Sequence, residues 1–188
     1  VQESGNYLLG GMFQFIKATA GIEGYIPFNL GTKWVLAARA QAGSIYNIEA
    51  ADESVDTEQI QRVPTISRYY SGGKGSMRSF GQRQLSLYRA TRRGSVVPIG
   101  GLSQVELGIE PRFRLAENVF SIGDIWGAAF LDAATVHRGP LLKATRANER
   151  LGVEAVGVSE AASSLLYGAG VGFWWDTPIG PVRADLAY

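Results

Sequence analysis

The sequence predicts an all-β fold: an antiparallel transmembrane β-barrel, of which this chain supplies about six strands. Three observations predict it. Polarity alternates with a period of two over long stretches, glycines lie inside those stretches, and short turns alternate with long connections.

The first alternating stretch, 17–26, sets Ala18, Ala20, Ile22, Gly24 and Ile26 against Lys17, Thr19, Glu23 and Tyr25. After the turn signal Pro27-Phe28-Asn29-Leu30-Gly31, the stretch 33–44 reads as its hairpin partner, with Trp34, Leu36, Ala38, Ala40 and Ala42 opposing Val35, Arg39, Gln41 and Gly43. In 102–113 one face is fully apolar (Val105, Leu107, Ile109, Phe113) and the other is charged (Gln104, Glu106, Gly108, Glu110, Arg112). The stretch 122–136 opposes Ile125, Ala129 and Leu131 to Asp124, Trp126, Phe130 and Asp132. Next, 165–176 opposes Leu165, Tyr167, Ala169, Val171, Phe173 and Trp175 to Gly168, Gly170, Gly172, Trp174 and Asp176. Finally 182–188 opposes Val182, Ala184, Leu186 and Tyr188 to Arg183, Asp185 and Ala187.

Alternation alone also fits a soluble β-sandwich, whose apolar face would point into a core. Strand length and turn asymmetry favour the membrane. Soluble strands average about five or six residues, whereas these stretches run longer, and short turns are expected near 27–31, 115–118 and 178–181. Tyr25, Phe28, Trp34, Phe113, Phe120, Trp175 and Tyr188 are expected to form an interfacial girdle beside those turns.

Composition sets limits on function. Lys and Arg number 18 against 17 Asp and Glu, a net charge of +1, which argues against a nucleic-acid partner. There is no cysteine, and His137 is the only histidine, so no metal site or cofactor is expected. No apolar run reaches the length of about 18 residues that a spanning helix needs, and the mean hydropathy of +0.01 suits alternating barrel strands. The 24 glycines count against helices, at about 1 kcal/mol each in a helix interior. The chain opens Val1-Gln2-Glu3, without an initiator methionine or signal peptide, and reads as a fragment of a longer protein.

A connection from about 46 to 97 exceeds ordinary loop lengths and is expected to be functional or disordered. Its first half is acidic (Glu49, Asp52, Glu53, Asp56, Glu58) and reads as a solvated external face. The second half is basic and aromatic, with Arg68, Tyr69, Tyr70, Lys74, Arg78, Phe80, Arg83, Tyr88, Arg89, Arg92 and Arg93. Gly72, Gly73 and Gly75 allow a tight reversal ahead of Met77 to Phe80. The run Ser71-Gly72-Gly73-Lys74-Gly75-Ser76 matches neither Walker A spacing nor the dinucleotide fingerprint.

Tyr69-Tyr70-Ser71-Gly72-Gly73 followed by Ser76-Met77-Arg78-Ser79-Phe80 resembles the loop-six motif of the BamA/TamA superfamily, the bacterial surface antigen family of outer-membrane barrels. Ile99-Gly100-Gly101 before Val105-Glu106 resembles the family's Gly-Gly lead into the next strand, and Phe130-Leu131-Asp132 its Phe-x-Asp strand motif. The tail from Gly170 to Tyr188 resembles the penultimate hairpin, whose turn is Thr177-Pro178-Ile179-Gly180-Pro181 here. Each motif is weak alone, but they occur in family order over nearly the whole chain. Met77 and Ser79 depart from the family's valine and glycine.

The resemblance implies the C-terminal part of a sixteen-stranded barrel, spanning 1–188 and ending before the last strand. It implies that the loop folds into the lumen, where Arg78 docks on wall carboxylates: Asp132 first, Asp176 second, with Glu106 less favoured. The plainer alternative is that these carboxylates only line a hydrated lumen. The implied work is outer-membrane protein insertion or polypeptide translocation, in the outer membrane of a Gram-negative bacterium or a derived organelle. The implied partners are lipid and lipopolysaccharide, nascent outer-membrane or secreted polypeptides, and POTRA-associated lipoproteins or an inner-membrane protein. A passive porin-like pore shares the alternation but gives no reason for the Arg78 and Thr177-to-Pro181 motifs. A hydrolase is not expected, because no Gly-x-Ser-x-Gly elbow accompanies His137.

Overall fold

The alternating stretches pair into one antiparallel sheet. The computed structural model describes residues 2–4, 15–47, 63–91, 94–141 and 163–188. Its strands are β1 (Gln2–Ser4), β2 (Phe15–Asn29), β3 (Lys33–Asn47), β4 (Tyr88–Ala90), β5 (Val96–Pro98), β6 (Ser103–Val119), β7 (Gly123–His137), β8 (Leu166–Trp175) and β9 (Val182–Ala187). The order β1-β2-β3-β6-β7-β8-β9 makes an open sheet, while β4 and β5 form a separate ribbon inside the long connection. The acidic residues Glu49, Asp52, Glu53, Asp56 and Glu58, and Arg92 and Arg93, lie outside the described residues.

Strands β2, β3 and β7 have 15 residues and β6 has 17. At about 3.4 Å per residue such strands span roughly 50 Å, beyond the length of about 9–11 residues that a tilted strand needs to cross hydrocarbon. Up-and-down pairing places all three short turns, after β2, β6 and β8, at one end of the sheet and the long connections at the other.

Register fixes the two faces. Ala38, Ile109, Leu131 and Ala169 line up across β3, β6, β7 and β8, and one residue away Arg39, Gly108, Asp132 and Gly168 line up on the opposite face. The apolar row is the open one. Ile109 is 43% and Leu131 49% exposed, whereas Glu110 is 6% and Asp132 1% exposed. This reverses the polarity of a soluble sandwich, in which the aliphatic row would be covered.

What covers the polar face is the connection itself. Met77 and Leu85 pack on Ala134 and Val136, with Phe80 beside them, and Val63 and Tyr69 pack with Phe15, Ile45 and Leu102. The loop is stitched by antiparallel bridges, Tyr69 to Gly101 and Ser71 to Leu85.

Several local expectations change. Strand β6 continues to Val119 instead of ending at Phe113, because register shifts after Arg114 and Ala116 absorb the broken period, so its turn lies at 120–122. Pro27 and Phe28 belong to β2 and pair with Val35 and Trp34. Tyr25 faces the polar side, where the Arg112 guanidinium lies 5.5 Å from its ring, and Tyr188 is level with Ala169, away from the short turns. Phe28, Trp34 and Phe113 do meet near the turns, with ring centroids 6.0 and 5.0 Å apart, and Phe120 lies 6.3 Å from Trp175. Beyond the six alternating stretches the sheet gains β1 at one edge.

Candidate functional site

The loop delivers one arginine to the polar face. Gly72 and Gly73 take φ of +99° and +103°, a region costly for side-chain-bearing residues, and their amides close the reversal. The Gly73 amide donates to the Met77 and Phe80 carbonyls at 3.1 and 2.9 Å, and the Gly72 amide donates to Ser76 Oγ at 3.2 Å. Tyr70 braces the outer side: its hydroxyl donates to the Thr65 carbonyl at 3.2 Å, and the Arg83 guanidinium sits 4.2 Å from its ring centroid.

Arg78 meets Asp132 with both arms of its fork, Nε to Oδ2 at 2.7 Å and Nη2 to Oδ1 at 2.9 Å, and its backbone amide reaches Oδ2 at 3.2 Å. Its Nη1 donates to Glu110. The guanidinium carbon lies 3.4 Å from the centroid of the Phe130 ring, so a π face covers a cation that water barely reaches. Burial alone would lower the Arg78 pKa, but the bonds to Asp132 and Glu110 outweigh it and hold the group above its usual value.

Each carboxylate is shared. Arg39 Nη2 lies 3.5 Å from Asp132 Oδ1. Glu110 also accepts from Arg112 Nε at 2.7 Å and from Arg183 Nη2 at 3.1 Å, and Arg183 Nε donates to Asp185 at 2.8 Å. Glu106 accepts from Ser76 Oγ. The result is a network of guanidiniums and carboxylates spanning β3, β6, β7, β9 and the loop, beside a cleft of about 480 Å³ lined in part by Glu23, Gln41 and Lys74. It contains bidentate charge-assisted bonds, the strongest kind of polar contact a protein makes.

The sequence-expected residues separate here. Arg78 and Asp132 come together, and Glu106 reaches the loop through Ser76 rather than through Arg78. Asp176 stands elsewhere: its Oδ2 accepts from Trp126 Nε1 at 3.1 Å at the short-turn end. It shares the polar face with Asp132, but it follows the end of β8. Asp132 pairs with Gly168, which puts Asp176 eight residues farther along, roughly 27 Å away. The second acceptor is Glu110, which the sequence placed on the polar face without singling out. Ser79 Oγ donates to the Tyr188 carbonyl at 2.7 Å. In the β8–β9 hairpin the Gly180 amide donates to the Thr177 carbonyl at 2.9 Å and the Thr177 hydroxyl to that of Gly180, with Pro178 in the second position of the turn and Pro181 just after it. His137 lies off the network, its Nε2 2.9 Å from Ser164 Oγ and 3.0 Å from Thr135 Oγ1.

Comparison with known proteins bears on the family and the fold. The Omp85 superfamily domain matches residues 1–188. The crystal structure of BamA from Haemophilus ducreyi lacking POTRA domains 1-3 superposes with a TM-score of 0.66 at 22% identity, covering 96% of this chain and 32% of that one. That likeness establishes the fold: this open antiparallel sheet is part of a barrel, and the chain spans about a third of the length of its structural relative.

Proposed function

This chain belongs to the Omp85 superfamily, and from that premise we propose that it is the C-terminal part of an outer-membrane barrel that inserts outer-membrane proteins or passes polypeptides across the membrane. The polar face lines the lumen and the apolar face meets lipid and lipopolysaccharide. The connection 46–97 is a lumen loop tethered through Arg78. One observation carries this reading: Arg78 is held by Asp132 and Glu110 on a face the loop covers, while the aliphatic row behind them is bare.

The mechanism is mechanical. Unpaired backbone groups are costly in hydrocarbon, so a barrel that presents sheet edges to an incoming strand lowers the barrier to its insertion. A seated loop fixes the wall strands around that passage. The substrates are nascent outer-membrane or secreted polypeptides, delivered with periplasmic lipoproteins or an inner-membrane partner.

Arg78→Ala in the full-length protein is expected to lower the urea midpoint of the barrel and to impair outer-membrane protein assembly in cells depleted of the parent. Exchanging the charges at 78 and 132 is expected to restore part of both. Additive single effects in that cycle would remove the tether. Ion conductance in planar bilayers with assembly unaffected would favour a passive pore.

A further inference from the structure

Arg39 is a second guanidinium on Asp132, and its geometry gives it a separate task. It stands on β3 at the level of Gly108 and Asp132. Its Nη1 donates to the Gly75 carbonyl at 2.5 Å and its Nη2 to the Ser76 carbonyl, while Nη2 also lies 3.5 Å from Asp132 Oδ1. One planar fork thus reads two successive backbone carbonyls, a geometry a lysine ammonium does not reproduce. Those carbonyls belong to the turn just ahead of Arg78, closed by the Ser76 amide donating to the Gly73 carbonyl at 3.0 Å. The approach is open because residue 108 is glycine. A Cβ there would stand 2.7 Å from Arg39 Nε and 3.2 Å from Asp132 Oδ1.

We infer that Arg39 is a positioning residue that seats the loop turn from the sheet side by its backbone carbonyls, with Gly108 leaving the path for it. Arg78 reaches from loop to wall, Arg39 from wall to loop, and Asp132 is their common anchor. The inference rests on the reading of the loop as a lumen tether and deepens it, since it names what holds the turn that carries Arg78 from the side of the wall.

The sequence has no cysteine, and Met77 is fully buried against the sheet. Met77→Cys in the full-length protein, made cysteine-free elsewhere, therefore reports whether the turn is seated, through its rate of modification by a maleimide. Arg39→Ala and Arg39→Lys are each expected to raise that rate about tenfold, the size of effect expected for losing charge-assisted hydrogen bonds. Gly108→Ala is expected to raise it more when Arg39 is present than in the Arg39→Ala background, where only the closer approach to Asp132 Oδ1 remains. Trypsin cleavage after Lys74, with Met77 intact, gives a second readout that should accelerate in the same variants. Unchanged modification and cleavage in Arg39→Ala, or an equal effect of Gly108→Ala without Arg39, overturns the inference. If Arg39→Ala lifts the turn while outer-membrane protein assembly stays intact, the clamp stands and the seated loop is not what assembly depends on.

Discussion

The two faces of β6 and β7 are built from neighbouring residues, and each would be a fault in a water-soluble protein. One face leaves Leu107, Ile109 and Leu131 open, and the other buries Glu106, Glu110 and Asp132. Burying a carboxylate is costly unless it is paired and hydrogen-bonded. Here the pairing is multiple: Asp132 serves Arg78 and Arg39, and Glu110 serves Arg78, Arg112 and Arg183. The contrast teaches which medium each face meets. An aliphatic row is at no disadvantage against lipid, and a buried charged row is stable only with its counter-ions, of which the loop supplies Arg78 and the sheet supplies Arg39, Arg112 and Arg183. The fold of the sheet and the seating of the loop are therefore one problem.

The strongest way to break the contrast is to remove the shared anchor. Asp132→Ala takes the bidentate partner from Arg78, leaving it Glu110 alone, and takes the carboxylate from Arg39; it is expected to destabilise the folded barrel by about 3 kcal/mol, the low end of what deleting one partner of a buried pair costs. Urea titration in liposomes measures it. A loss below that seen for Ser79→Gly would mean the network is solvated. On the opposite face, Leu131→Arg is expected to cost about 2–4 kcal/mol if its row lies near the bilayer midplane. In the same assay a negligible change would place the row outside hydrocarbon. A clear loss at both Asp132 and its neighbour Leu131 is the pattern that a lipid face and a loop-covered face together require.

How far the sequence reveals this depends on what sets each feature. Strand existence and facing follow from a local two-residue period, so Leu107, Ile109 and Leu131 on one side and Glu106, Glu110 and Asp132 on the other are legible residue by residue. Register is not local. Nothing in the sequence states that Gly108 stands opposite Asp132, which puts Glu110 within reach of Arg78, or that Gly168 stands opposite it on the other side, which leaves Asp176 far away past the end of β8. The true end of β6 is hidden because shifts after Arg114 and Ala116 interrupt the alternation. Arg39 has no motif at all, since its partners are carbonyls, which every residue carries. Arg78 is visible because a motif marks it; its second acceptor follows only from the sheet.

The finest test lies at Ser79, where the loop motif departs from glycine. No left-handed φ occurs at this residue, so serine is not strained there, and the hydroxyl has a use: it donates to the Tyr188 carbonyl at 2.7 Å, joining the loop tip to the strand at the sheet edge. The same hydroxyl lies where a Cβ on Gly168 would stand, in the row that carries Asp132. Ser79→Gly is therefore expected to cost only about 1 kcal/mol, one neutral hydrogen bond together with some backbone freedom. Gly168→Ala is expected to cost more in the parent, because the methyl must displace Ser79 Oγ. In the Ser79→Gly background that collision is absent, so the two substitutions together should be less damaging than their sum, by about 0.5–3 kcal/mol of coupling. Urea midpoints of the four proteins close the cycle, and strict additivity would mean that the loop tip does not rest on the row that holds its own anchor.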